Sequence, residues 1–123
     1  MAKILVIDDD VMVRHTISKI LRHGGHEVVL AEDGVRGMAA FRKERPDLVI
    51  TDIIMPEQEG IATISQIRRE MCDAKIIAVS GGGRIGNADF LAMARKLGAN
   101  DILAKPFLPD ELLSRVKTCL AAA

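Results

Sequence analysis

Five short apolar runs, each followed by a stretch with helical spacing, leave this chain few ways to fold. The runs are KILVI (3–7), HEVVLA (26–31), DLVITD (47–52), AKIIAVS (74–80) and a shorter one inside ANDILAKPF (99–107). They are nearly continuous apolar segments rather than alternating ones, the pattern of strands covered on both faces. Strand alternating with helix predicts a parallel sheet in an α/β domain. At 123 residues the chain is one domain, spanning 1–123. The expected solution is a flavodoxin-like three-layer sandwich: five helices around a five-stranded parallel sheet of order 2-1-3-4-5. Its ligand site lies at the carboxyl ends of the strands, near the switch point between strands 1 and 3.

The helical stretches carry their own punctuation. Val13, Ile17, Ile20 and Leu21 form one stripe, with Asp10 as a cap and Gly24-Gly25 as a stop. Asp33 caps a second helix with Val35, Met38, Ala39 and Phe41 on its apolar face, ended by Pro46. Ile61, Ile64, Ile67 and Met71 mark a third, over 60–71. Asn87 caps a fourth, with Phe90, Ala94 and Leu97 inward, and Pro109-Asp110 opens a fifth, with Leu112, Val116 and Leu120 inward.

Composition excludes several classes. Lys plus Arg equals Asp plus Glu at 17 each, without the basic excess of a general nucleic-acid binder, and Trp and Tyr are absent. No apolar stretch is long enough for a membrane span, and the start MAKILVIDDD lacks the long apolar region of a signal peptide. A cytoplasmic location is the expectation. Cys72 and Cys119 have no CxxC partner and read as partly buried free thiols. His15, His23 and His26 lie on or just after the first helix without metal-ligand spacing and read as surface or helix-end residues. Met12, Met38, Met55, Met71 and Met93 read as core filling. GGGRIGNA lacks the GxxxxGK[ST] pattern of a phosphate loop.

VIDDD (6–10) sets three carboxylates in a row at the mouth of an apolar strand. Neighbouring like charges disfavour one another's ionisation, so a counter-charge is expected opposite them. In the 2-1-3-4-5 order, Asp8 and Asp9 at the end of strand 1 meet Asp52 at the end of strand 3. Ser80 ends strand 4 and Lys105 follows strand 5, so one rim collects three carboxylates, a hydroxyl and an ammonium. Hard oxygen donors of this kind suit Mg²⁺. With Lys105 and the ion holding Asp52 ionised, that carboxylate can attack phosphorus to form an aspartyl phosphate. Ser80 can donate to a phosphoryl oxygen, and Gly81 leaves the entry unobstructed.

At these residues the chain resembles the receiver domain of two-component response regulators, including stand-alone forms such as the chemotaxis response regulator. The resemblance is carried by VIDDD with Asp8 and Asp9, and by ITDIIMPEQEG with Asp52, Met55, Pro56 and Gly60. It continues in AVSGGG with Ser80 and in GANDILAKPF with Lys105, Pro106 and Phe107. It covers essentially the whole chain. It implies phosphoryl transfer from a phosphohistidine, on a sensor histidine kinase or phosphotransfer protein, to Asp52. It implies Mg²⁺ (or Mn²⁺) held by Asp9, Asp52 and the backbone carbonyl of Ile54, with Asp8 binding through metal-bound water. It also implies a cis peptide between Lys105 and Pro106, and output through a face formed by the fourth helix, fifth strand and fifth helix. Such a protein is a self-phosphorylating and self-dephosphorylating switch rather than an enzyme with external turnover, a monomer or a phosphorylation-dependent dimer.

Two features depart from the family pattern. Receivers commonly carry Tyr or Phe where this chain has Ile102, so an inward-rotating aromatic is missing from the switch pair with Ser80. The loop GGGRIG (81–86) is rich in glycine and is expected to order when Ser80 engages phosphate. The resemblance also implies that Ile54 and Gly82 flank the path of the hydrolytic water. Other readings stay open: an interaction domain independent of phosphorylation, or a receiver fragment of a longer regulator. A dehalogenase-type phosphatase would need an acid at position 54, where the chain has Ile54.

Overall fold

The computed structural model describes residues 2–52, 59–80, 98–105 and 107–122, with Ala92 and Lys96; for 59–61 and 80 it describes the backbone alone. The strands are β1 (Lys3–Ile7), β2 (Glu27–Ala31), β3 (Leu48–Asp52), β4 (Ile76–Ser80) and β5 (Asp101–Ala104). The helices among the described residues are α1 (Val11–His23), α2 (Gly34–Glu44), α3 (Glu59–Glu70) and α4 (Pro109–Ala121). Of the helix expected after Asn87, Ala92 and Lys96 are described and are helical; Phe90, Ala94 and Leu97 lie outside the described residues, as do Met55, Met93, Gly81, Gly82 and the Lys105–Pro106 peptide.

All strand pairs are parallel and the sheet order is β2-β1-β3-β4-β5, as the apolar rhythm predicts. Side chains alternate across each strand. Leu5, Ile7, Val49 and Ile76 therefore join Met38 and Phe41 of α2 and Ile64 and Ile67 of α3 in one core layer. Ile4, Val6, Leu48, Ile50, Val79 and Leu103 face the other way, onto Ile17 and Leu21 of α1 and Leu112 and Val116 of α4. That parity places the site. Asp8 continues the count of Ile4 and Val6, Asp52 that of Leu48 and Ile50, and Lys105 that of Leu103. The three charged groups carry that layer to the carboxyl end of the sheet, Asp52 as the last residue of β3 and Asp8 and Lys105 just beyond β1 and β5.

The helix ends follow the expected chemistry. The Asp10 carboxylate accepts from the amides of Met12 and Val13, and Asp33 accepts from that of Arg36. Helix α2 ends at Glu44, with Arg45 in the left-handed region (φ 49°) just before Pro46. Pro109 opens α4 where its missing amide proton costs nothing.

The inward face of α2 differs from the expectation. Val35 is 78% exposed and Ala39 is exposed, while Gly34 and Gly37 are buried with Met38 and Phe41. The reason is close approach: a Cβ on Gly37 would stand 2.5 Å from Ile7 Cδ1. Small residues let α2 settle against β1, and the larger Val35 turns to solvent. Met12 is likewise 71% exposed rather than core, and Cys72 is exposed while Cys119 is buried. His15 and His23 are exposed, and the half-buried His26 accepts through Nδ1 from the amide of Ala2.

Candidate phosphoacceptor and metal site

The counter-charge expected opposite VIDDD is Lys105, which meets Asp8. Lys105 reaches across the end of the sheet and donates from Nζ to Asp8 Oδ2 at 3.2 Å and to Asp52 Oδ2 at 3.1 Å. Asp8 and Asp52 are 1% and 6% exposed, so the pairing is made largely out of water. Burial alone would lower the pKa of the Lys105 ammonium; attraction to Asp52 and then Asp8 outweighs it, and the pKa rises above the ordinary lysine value.

Asp8 is held on every side. Its amide donates to the Ala31 carbonyl at 3.1 Å, tying the end of β1 to β2. Its Oδ1 accepts from the Asp10 amide at 2.9 Å, and its own carbonyl accepts from Arg14 Nη1 at 2.7 Å. Asp9 differs: it is exposed, and its carboxylate makes no hydrogen bond among the described residues. Each of Asp8, Asp9 and Asp52 offers one oxygen, all within 4.8 Å of one another. Among the described residues three carboxylates face the Lys105 ammonium and the Arg14 guanidinium, so the formal charge of the cluster stays negative. A small divalent cation with oxygen preference fits this donor set in charge and in hardness.

The other expected site residues are placed in part. Ser80 closes β4 opposite Ala104, which sets its backbone at the same rim; its hydroxyl lies outside the described residues. The Ile54 carbonyl also lies outside them. Ile102 is half-buried and packs against the core layer under α2 and α3. Sequence reasoning missed Arg14. Its signal was a basic residue near the start of α1, where the helix dipole disfavours a cation unless a specific acceptor compensates. Beside Lys105 an apolar groove of about 470 Å³ opens between α1 and the start of α4, lined by Met12, Val13, Ile20, Phe107 and Pro109.

The model of the response regulator receiver domain family matches residues 4–117. The chain belongs to that family. The receiver is 37% identical over 118 residues to the "Probable transcriptional regulator ycf27" of Cyanophora paradoxa, covering 96% of this chain and 48% of that one. It is 34% identical to the "Response regulator MprA" of Mycobacterium sp. (strain KMS), covering 96% and 50%. The chain thus spans about half the length of these curated relatives. Among solved structures it is similar to the receiver domain of NtrX from Brucella abortus, with TM-score 0.91, 31% identity and coverage of 98% and 99%. It is also similar to a CheY-like receiver domain protein from Methanospirillum hungatei, with TM-score 0.86, 29% identity and coverage of 98% and 94%. The receiver is a domain of two-component signalling, a switch rather than a classical enzyme, and its acidic cluster is the site typical of Mg²⁺ binding in such domains. Among the described residues no helix is long and apolar enough to cross a membrane.

Proposed function

We propose that this receiver is a phosphorylation-activated switch that accepts a phosphoryl group on Asp52 from a phosphohistidine of a sensor histidine kinase or phosphotransfer protein. The observation that carries the reading is the Lys105 ammonium shared between Asp52 and Asp8, with Asp9 open beside them. An Asp52 oxygen attacks phosphorus, the P–N bond to the donor imidazole breaks, and the imidazole leaves with its electron pair and takes up a proton. Lys105 holds Asp52 ionised before transfer and follows the developing charge on the phosphoryl oxygens during it. Ser80 donates to one of those oxygens. Asp9, Asp52 and the Ile54 carbonyl would hold Mg²⁺ or Mn²⁺, with Asp8 bound through metal-bound water. That ion supplies neutralisation of phosphoryl charge.

The donor approaches over the apolar groove beside Lys105. Helix α1 lines it with Met12, Val13, Thr16, Ile17 and Ile20 and carries no acidic residue, suiting an apolar donor surface. Output runs to a downstream protein through the face of the segment after Asn87, β5 and α4, with Ile102 in place of an aromatic. If phosphate shifts a population, it must bind the active form better than the inactive one. A cytoplasmic setting and action without direct nucleic-acid contact by this domain go with this reading. The length of the relatives supports a second arrangement, in which the same receiver governs a longer regulator.

Intact-mass spectrometry after acetyl phosphate and Mg²⁺ tests the chemistry. One phosphoryl addition is expected, absent in Asp52→Asn and absent with EDTA. No addition from acetyl phosphate or from candidate kinases would overturn the reading in favour of an interaction domain independent of phosphorylation.

A further inference from the structure

Arg14 is a cation in an unexpected place. Near a helix start the dipole favours anions, yet this chain sets a guanidinium there and turns it back over the turn that carries the three carboxylates. Its Nη1 donates to the Asp8 carbonyl at 2.7 Å, and the residue is half-buried. That carbonyl belongs to the peptide joining Asp8 to Asp9. On its other side Asp8 is fixed by the Ala31 carbonyl, the Asp10 amide and Lys105, so the Arg14 bond completes the restraint on the Asp8–Asp9 link. Asp9 itself has no side-chain hydrogen bond among the described residues, yet its carboxylate lies within reach of Asp8 and Asp52. Something other than its own side chain must aim it.

We infer that Arg14 is a positioning residue for divalent-cation capture, holding the Asp8–Asp9 peptide so that the Asp9 carboxylate faces Asp8 and Asp52. The inference rests on the reading of these three carboxylates as a cation site. Arg14 touches neither the ion nor the phosphoryl group in this account; it acts through the Asp8 carbonyl.

The two ways in which Arg14 could matter have opposite signs. As a mere positive charge near the site, it repels Mg²⁺, and removing it tightens binding. As a positioning residue, it helps binding, and removing it weakens binding. Calorimetric titration of the purified full chain with Mg²⁺ alone, without phosphodonor, reads the sign directly. Arg14→Met keeps the stem and deletes charge and donor; binding about tenfold weaker is expected, the scale on which orienting partners of metal ligands act. Arg14→Gln deletes the charge but keeps an amide donor, and should fall between Arg14→Met and the parent. Lys19→Met, on the exposed side of α1, should leave Mg²⁺ affinity within about twofold at physiological salt. Unchanged or tighter binding in Arg14→Met would overturn the inference while leaving the site reading intact. Should Arg14→Met fail to fold, as judged by its melting curve, Arg14→Gln decides: weaker than the parent supports the inference, and equal or tighter overturns it. A parent chain that binds no Mg²⁺ would overturn the site reading and this inference with it.

Discussion

The two ends of the sheet are both rich in charge and treat it differently. At the amino end, side chains close backbone groups, and the ion pairs Lys3–Glu44 and Arg115–Asp101 match one charge with one. Arg68 donates to the carbonyls of Cys72, Ala74 and Gly98 and to Asn100 Oδ1, and Asn100 Oδ1 also accepts from the Ile76 amide. Asp47 accepts from the Lys3 amide at 2.8 Å, and Lys75 caps the carbonyls of Cys119 and Ala122 at the end of α4. At the carboxyl end, charge meets charge. Lys105 serves two carboxylates, a third stands open, and the sum is negative. Among the described residues the amino end matches its polar groups within the fold, while the carboxyl end keeps an acidic excess that suits a cation.

Breaking the carboxyl pole should have the largest effect. Lys105→Met leaves Asp8 and Asp52 facing each other without their cation and should destabilise the fold by about 3 kcal/mol, read by urea denaturation at neutral pH. Mg²⁺ should restore part of that loss, since a ligand bound only by the folded state stabilises it. The alkaline limb sharpens the point. The folded pKa of Lys105 is raised, so its contribution is fully present below the unfolded value, about 10.5, and is lost as pH climbs through the higher folded value. The parent should lose stability steeply in that window, and Lys105→Met should lose less.

The amino pole should answer to different variables. Arg68→Ala removes the donor to three carbonyls and to Asn100 and should cost about 2 kcal/mol, with Mg²⁺ affinity and phosphorylation rate unchanged. A drop in either would mean that the poles are coupled. Lys75→Met should cost least, roughly 0.5 kcal/mol, because a partly exposed ammonium at a helix end is screened by water. Thermal melts with and without Mg²⁺ would check both, and the Mg²⁺ increment should equal the parent's.

The strand order and the meeting of Asp8, Asp52 and Lys105 were legible because they need only the place of each charged group at a strand end and a topology that parallel α/β chains favour. The inward face of α2 was not. Hydropathy ranks Val35 and Ala39 above Gly37, but the packing distance from Gly37 to Ile7 reverses the order. Arg68 and Arg14 escaped for another reason: their acceptors are main-chain carbonyls, which leave no mark on residue type. Partnerships between side chains of opposite charge can be guessed from composition; those with carbonyls wait for coordinates.

The shared parity of Asp8, Asp52 and Lys105 carries a rule for anyone rebuilding such a domain. Each group reaches the common rim because its strand ends in phase with the others, not because of its neighbours in the chain. One residue inserted within β1 would send Asp8 to the opposite layer, or shift the whole strand out of step with its apolar pattern. Two residues inserted would restore the phase and lengthen the arm. A transplanted site of this kind should therefore tolerate changes of helix, loop and surface far better than a single odd-numbered edit to any of the three strands that feed it.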